Sequence, residues 1–281
     1  TAPENNWTPI GTESSKFAGT FDGKGYSISG LYLNSTLPAA GLFGYTDTTA
    51  VFKNFKFVNS YITSNRDAAG MIGIGSFELL ENVYTNATIH ASGKAAGFVG
   101  SIVPRGDKQN ERYNISVKNC WFDGNVESQY SCAGGFVGND SAATGILFEN
   151  CLSSGSVKAT FRTGGFFGWK NNYAWSEFRN CLSVAEVTSN HAEYGSWYGS
   201  FYGQHNTSTY NTTMTNSYGV DTYKIIGAYS SGAAENREGG AKTLDYLKTT
   251  DVATLFPLLE GETASPWEAV SGSTPVLKGL K

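Results

Sequence analysis

Charge is the scarcest resource in this sequence: only 16% of its residues are Asp, Glu, Lys or Arg, and the balance is −4. No run of like charges occurs and no basic stripe, so a nucleic-acid partner is not expected. Proline (7 residues), methionine (2) and histidine (3) are also sparse. No apolar run approaches the roughly 18 residues needed to span a membrane as a helix. No HExxH pattern and no ligand-spaced Cys/His set is present, which argues against a metal site or any cofactor. The chain opens at Thr1 without a signal peptide, as a mature or trimmed chain would, and that decides little.

Glycine is abundant, at 34 of 281 residues, and aromatics make up 14%. This composition supplies ample apolar surface for a core and many turns or close backbone approaches. The glycines are ordered. The phrase Ala39-Ala40-Gly41-Leu42-Phe43-Gly44 returns as Ala68 to Gly73, Ala95 to Gly100, Ala133 to Gly138, Thr163 to Gly168 and Tyr198 to Gly203. The closing glycines are 29, 27, 38, 30 and 35 residues apart. A second marker keeps step with them: Asn54, Asn82, Asn119, Asn150, Asn180 and Asn216. The irregular intervals localise as insertions near residues 101–114 and 190–197.

Each repeat divides into three short β-like pieces: the glycine phrase, the segment around the asparagine, and one carrying Ile62, Ile89, Val126, Val157 or Val187. None is long or periodic enough for a helix. Such strands cannot bury a face alone, so successive repeats must stack about 4.8 Å apart. The expected fold is an all-β, right-handed parallel β-helix of about six or seven coils with three short strands per coil. Residues 1–31 read as an N-terminal capping coil, 32–220 as the repeats, and 221–281 as a C-terminal cap with a short helix in 243–256.

Stacking assigns residues to columns. Phe52, Leu80, Val117, Phe148, Phe178 and Met214 read as one interior column, and Leu42, Met71, Phe98, Phe136, Phe166 and Phe201 as another. Lys53, Glu81, Lys118, Glu149 and Arg179 alternate in sign, which favours an in-register parallel stack. Asparagine tolerates a left-handed backbone, and stacked amides can donate to one another, so its column reads as a structural ladder. Cys120, Cys151 and Cys181 follow the ladder and read as stacked free thiols, slightly too far apart for relaxed disulfides. Cys132 falls with Pro38, Asp67, Lys94, Arg162 and Trp197, a column expected outside the core. His90 falls in an outward, solvated column with Thr63, Glu127, Lys158 and Thr188.

These phrases, with Trp7-Thr8-Pro9-Ile10-Gly11 and Phe17-Ala18-Gly19-Thr20-Phe21-Asp22-Gly23, resemble GLUG-motif proteins over roughly residues 7–220. Similar repeats precede the protease domain of some bacterial immunoglobulin A proteases. The resemblance implies a β-helix on a bacterial cell surface or secreted from the cell, often in adhesin-like proteins, and it carries no catalytic residues.

The loops between each glycine phrase and the next asparagine bear most of the remaining chemistry. Trp169, Tyr173 and Trp175, with Tyr113, Tyr210 and Arg112 from neighbouring coils, would form an aromatic edge. Such an edge suits sugar stacking, and it equally suits a protein interface. The plainer alternative is that the rings fold back as packing. No catalytic residues are assigned, because no convergent acid, base and cation is visible. The expected function is therefore a non-catalytic extracellular module that acts as a monomer in adhesion or glycan binding, with a glycan or host surface protein as partner. A carbohydrate-active β-helix enzyme and a plain spacer are the alternatives.

Overall fold

The computed structural model describes residues 6–103, 114–141, 145–170, 175–189, 197–205, 212–229 and 240–280. The chain winds into a parallel β-helix whose coils contribute to four parallel sheets. Sheet I carries the asparagines and includes Val51–Val58, Leu79–Thr85 and Ile115–Phe122. Sheet II stacks six strands, from Tyr32–Ser35 to Glu186–Ser189. Sheet III stacks six more, from Ala39–Ala40 to Tyr198–Gly199, and sheet IV seven, from Phe43–Thr46 to Ile226–Tyr229.

Sheets III and IV together are the glycine phrase, so the expected three strands per coil become four. The glycines explain the break. A Cβ on Gly138 would lie 2.6 Å from the Gly100 carbonyl oxygen and 2.9 Å from that of Ala95, and one on Gly168 would lie 2.8 Å from the Ala133 nitrogen. The chain therefore folds back on itself so tightly that backbone meets backbone, which only glycine permits. The first short strand also slips by one residue, pairing Ala39 with Asp67 and Ala40 with Ala68.

The interior columns fall in register. Phe52, Leu80, Val117, Phe148, Phe178 and Met214 are successive pairing partners in sheet I, each nearly inaccessible. In the second column the rings of Phe136, Phe166 and Phe201 stack 4.5 and 4.7 Å apart. Phe148 meets Phe166 edge-on at 5.5 Å, so rings stack along the axis and meet edge-to-face across it.

The six asparagines have φ between 48° and 60°. Each Nδ2 from Asn82 onward donates to the Oδ1 of the preceding asparagine, at 2.9–3.3 Å. Asn54 starts the ladder by donating to Asp22. Two short helices, Leu244–Thr249 and Val252–Leu255, occupy the segment where one was expected. Extended backbone at Thr250 breaks the run, and the Asp251 side chain caps the second helix.

This segment packs along the flank of sheet I. Leu247, Leu255, Phe256 and Trp267 cover the outward Leu152, Leu182 and Val220. The Trp267 indole donates to the Asn150 carbonyl oxygen, while the Asn150 and Asn180 amides also donate to Glu262 and the Pro257 carbonyl. Burying one indole removes roughly 200 Å² from water, or about 5 kcal/mol at about 25 cal/mol/Å². This segment is therefore held by a substantial apolar contact.

Cys120, Cys151 and Cys181 are fully buried free thiols. Each donates to backbone carbonyl oxygens, and burial pushes the Cys120 and Cys181 thiols well up. Cys132 is a correction, since it too is fully buried. Its column does lie on the outer side of sheet III, but the tight bend brings sheet IV over it. Burial raises its thiol to about 11.

Candidate functional site

The fold-back turns an outward column of sheet III toward one of sheet IV, and the seam where they meet forms a groove lined by both. One wall is the column Asp67, Lys94, Cys132, Arg162 and Trp197, and the other is Tyr45, Ile74, Ser101, Asn139, Trp169 and Gln204. Alternate residues Ala68, Ala95 and Ala133 point into the core. The walls touch. In the early coils Asp67 accepts from Lys94 Nζ at 3.2 Å and from Ser101 Oγ at 3.1 Å.

In the later coils the same positions hold a different set. The Arg162 guanidinium lies 4.1 Å from the Trp169 ring centre and 4.7 Å from that of Trp197, and its Nε donates to Gln204 Oε1. Burial lowers the Arg162 pKa from its ordinary value. Asn139 is 4% exposed, and its Oδ1 and the Trp169 Nε1 are buried without hydrogen-bond partners among the described residues. Buried polar atoms in that state are rare, and they are where a ligand or water finds its contacts.

Of the residues singled out from sequence, Trp169 stands in this groove. Trp175 leads into sheet I at Ser176–Arg179 and is 38% exposed. Arg112, Tyr113, Tyr173 and Tyr210 lie outside the described residues. Sequence reading missed Arg162, Trp197, Asn139 and Gln204 as a group. Arg162 and Trp197 were visible as column-mates of Cys132, but the facing wall shows only once the glycine phrase is known to be two strands.

Two further polar features stand apart. On sheet II, Tyr32 stacks on Tyr61 at 5.9 Å, and Glu127 pairs with His90 at 3.4 Å and Lys158 at 3.1 Å. A shallow depression of about 290 Å³ opens beside Thr63, His90, Glu127 and Gln129. Inside the solenoid, Asp140, Lys170 and His205 succeed Ile102 in one column of sheet IV, and all three are buried. Lys170 Nζ lies 2.8 Å from Asp140 Oδ2. Among the described residues no cluster of three or more metal-ligating side chains forms, and no helix is long and apolar enough to cross a membrane.

The whole-chain likeness is to a crystal structure of a Bacteroides ovatus protein provisionally described as an immunoglobulin A1 protease. The two superpose with a TM-score of 0.72 over 99% of this chain and 82% of that one, at 19% identity, which establishes the shared fold. Halomucin of Haloquadratum walsbyi is 34% identical over 86 residues, 30% of this chain and 1% of that protein. A provisionally named Gly-rich membrane protein of Evansella cellulosilytica is 31% identical over 80 residues, 27% of this chain and 9% of its own length. The chain thus matches only small parts of these relatives. No family model matches it.

Proposed function

We propose that this chain is a non-catalytic extracellular module of a bacterial surface or secreted protein, acting in adhesion by holding a glycan in the groove between sheets III and IV. The observation that carries the reading is the Arg162 guanidinium held against Trp169 and Trp197, beside Gln204 and the unsatisfied Asn139 Oδ1. Indole faces stack on the apolar faces of sugar rings, and the cation and amides address their hydroxyls. The likeness to a solved protein provisionally described as an immunoglobulin A1 protease suits a surface or secreted setting.

Glycoside hydrolysis needs two carboxyl groups about 5–10 Å apart across the scissile bond. Among the described residues of the groove walls there is one, Asp67, and it is paired with Lys94 and Ser101. That supports binding over catalysis. The test is a broad glycan array probed with the intact protein and with Trp169→Ala, Trp175→Ala and Arg162→Ala. A hit lost in Trp169→Ala and Arg162→Ala supports the groove. A blank array transfers weight to a protein partner or a spacer, and release of reducing ends from a polysaccharide defeats the non-catalytic reading.

A further inference from the structure

Asp140 and Lys170 end adjacent strands of sheet IV and sit directly opposite one another. Both side chains are wholly inaccessible, with Nζ 2.8 Å from Oδ2 and 5.6 Å from the centre of the buried Phe167 ring. The preceding coil fills this position with Ile102. A surrounding of low polarity penalises both charges, and transferring one proton from ammonium to carboxylate removes both at once. Written without its charges, the pair is an amine in contact with a carboxylic acid, the reactants of an amide condensation.

We infer that Lys170 and Asp140 condense spontaneously in the folded protein to an isopeptide bond that staples two successive coils. The Nζ lone pair attacks Asp140 Cγ, the N–C bond forms, and the Cγ–O bond breaks. The departing hydroxyl leaves as water with one proton from nitrogen. One positive and one negative charge vanish together, so net charge is unchanged and no oxidant or reductant is required.

His205 is the next residue in the column and pairs in register with Lys170. Burial keeps its imidazole neutral. Its Nε2 lies 3.3 Å from Thr212 Oγ1, which lies 3.3 Å from the Tyr202 hydroxyl. A neutral imidazole beside the amine can take the proton that nitrogen loses and return it to the departing oxygen. The bridge would close a loop of 30 residues. It would stabilise as a disulfide does, by restricting the unfolded chain, without depending on redox conditions.

The test is the mass of the intact folded protein, followed by tandem mass spectrometry of its tryptic peptides. The expected protein is lighter than its sequence by one water and yields a branched peptide joining the Asp140 and Lys170 fragments. Lys170→Arg and Asp140→Ala should run at full mass, and His205→Gln should slow the dehydration by about a hundredfold. Full mass in the wild-type protein overturns the inference. So does a deficit that survives Lys170→Arg, which would place the lost water in a cyclic imide at Asp22-Gly23 or Asp123-Gly124. Should Lys170→Arg fail to fold, the presence or absence of the branched peptide in the wild type decides alone.

Discussion

The early and late coils share a backbone and differ in what hangs from it. At one outer position the early coils place Asp67, Lys94 and Ser101 in a small ionic cluster, where the late coils place Arg162 against Trp169 and Trp197. At one inner position Thr46, Gly75 and Ile102 give way to Asp140, Lys170 and His205. The frame is set by glycines and asparagines, which leaves the other columns free to change chemistry coil by coil. Function is therefore to be sought where a column departs from its own beginning.

The largest expected effect tests the frame. Gly138→Ala would push a methyl group into the Gly100 and Ala95 carbonyl oxygens, which belong to backbone paired on both sides and cannot yield. It should cost about 3 kcal/mol in urea unfolding, whereas Gly261→Ala, with open space around it, should show only the smaller strain of a positive φ. Equal costs at the two positions would remove close packing as the reason for the glycine phrase.

Next comes the inner difference. His205 titrates near 3 when folded, lowered by burial and then by Lys170, against 6.5 unperturbed. The unfolded chain therefore binds the proton more readily. Its contribution is fully present above pH 6.5 and falls away below it. Between there and roughly pH 5 the loss should be about 2 kcal/mol, and it should be absent in His205→Gln. Acid unfolding that is identical in the two proteins would show that His205 is already charged or exposed in the native state.

How far these features are legible in the sequence depends on whether they repeat. The asparagine ladder, the phenylalanine columns and the alternating charges recur in step with one another in every repeat, insertions aside, so their shared order predicts their stacking. The joined contacts are Lys118–Glu149 at 2.8 Å and Arg179–Glu149 at 3.2 Å. The groove is legible only in part. Arg162 and Trp197 share a column in the sequence, but Trp169, Asn139 and Gln204 face them only because the chain reverses at glycine. Asp140, Lys170 and His205 were hidden for a different reason. A parity shift at the preceding glycine turns them inward, where charged residues are seldom expected.

A third and smaller effect sharpens the outer difference. Arg162→Ala should weaken binding of any ligand found on a glycan array by about tenfold, and Lys94→Ala, one face of the early ionic cluster, should leave it unchanged. Equal losses would mean that the ligand runs the full height of the groove. Loss with Lys94→Ala alone would move the site to the early coils.

The smallest effect belongs to sheet II, whose outward face is the control for both differences. His90, Glu127 and Lys158 form an exposed line, with side chains 41–42% accessible and contacts of 3.1–3.4 Å. Exposed pairs of this kind gain little over solvation and lose side-chain freedom in forming. Lys158→Ala should therefore shift stability by no more than about 0.5 kcal/mol, with still less change in added salt, since screening weakens what remains. A shift several times larger would mean that this face is organised as tightly as the groove, and the depression beside His90 and Glu127 would then compete with it as the place where a ligand sits.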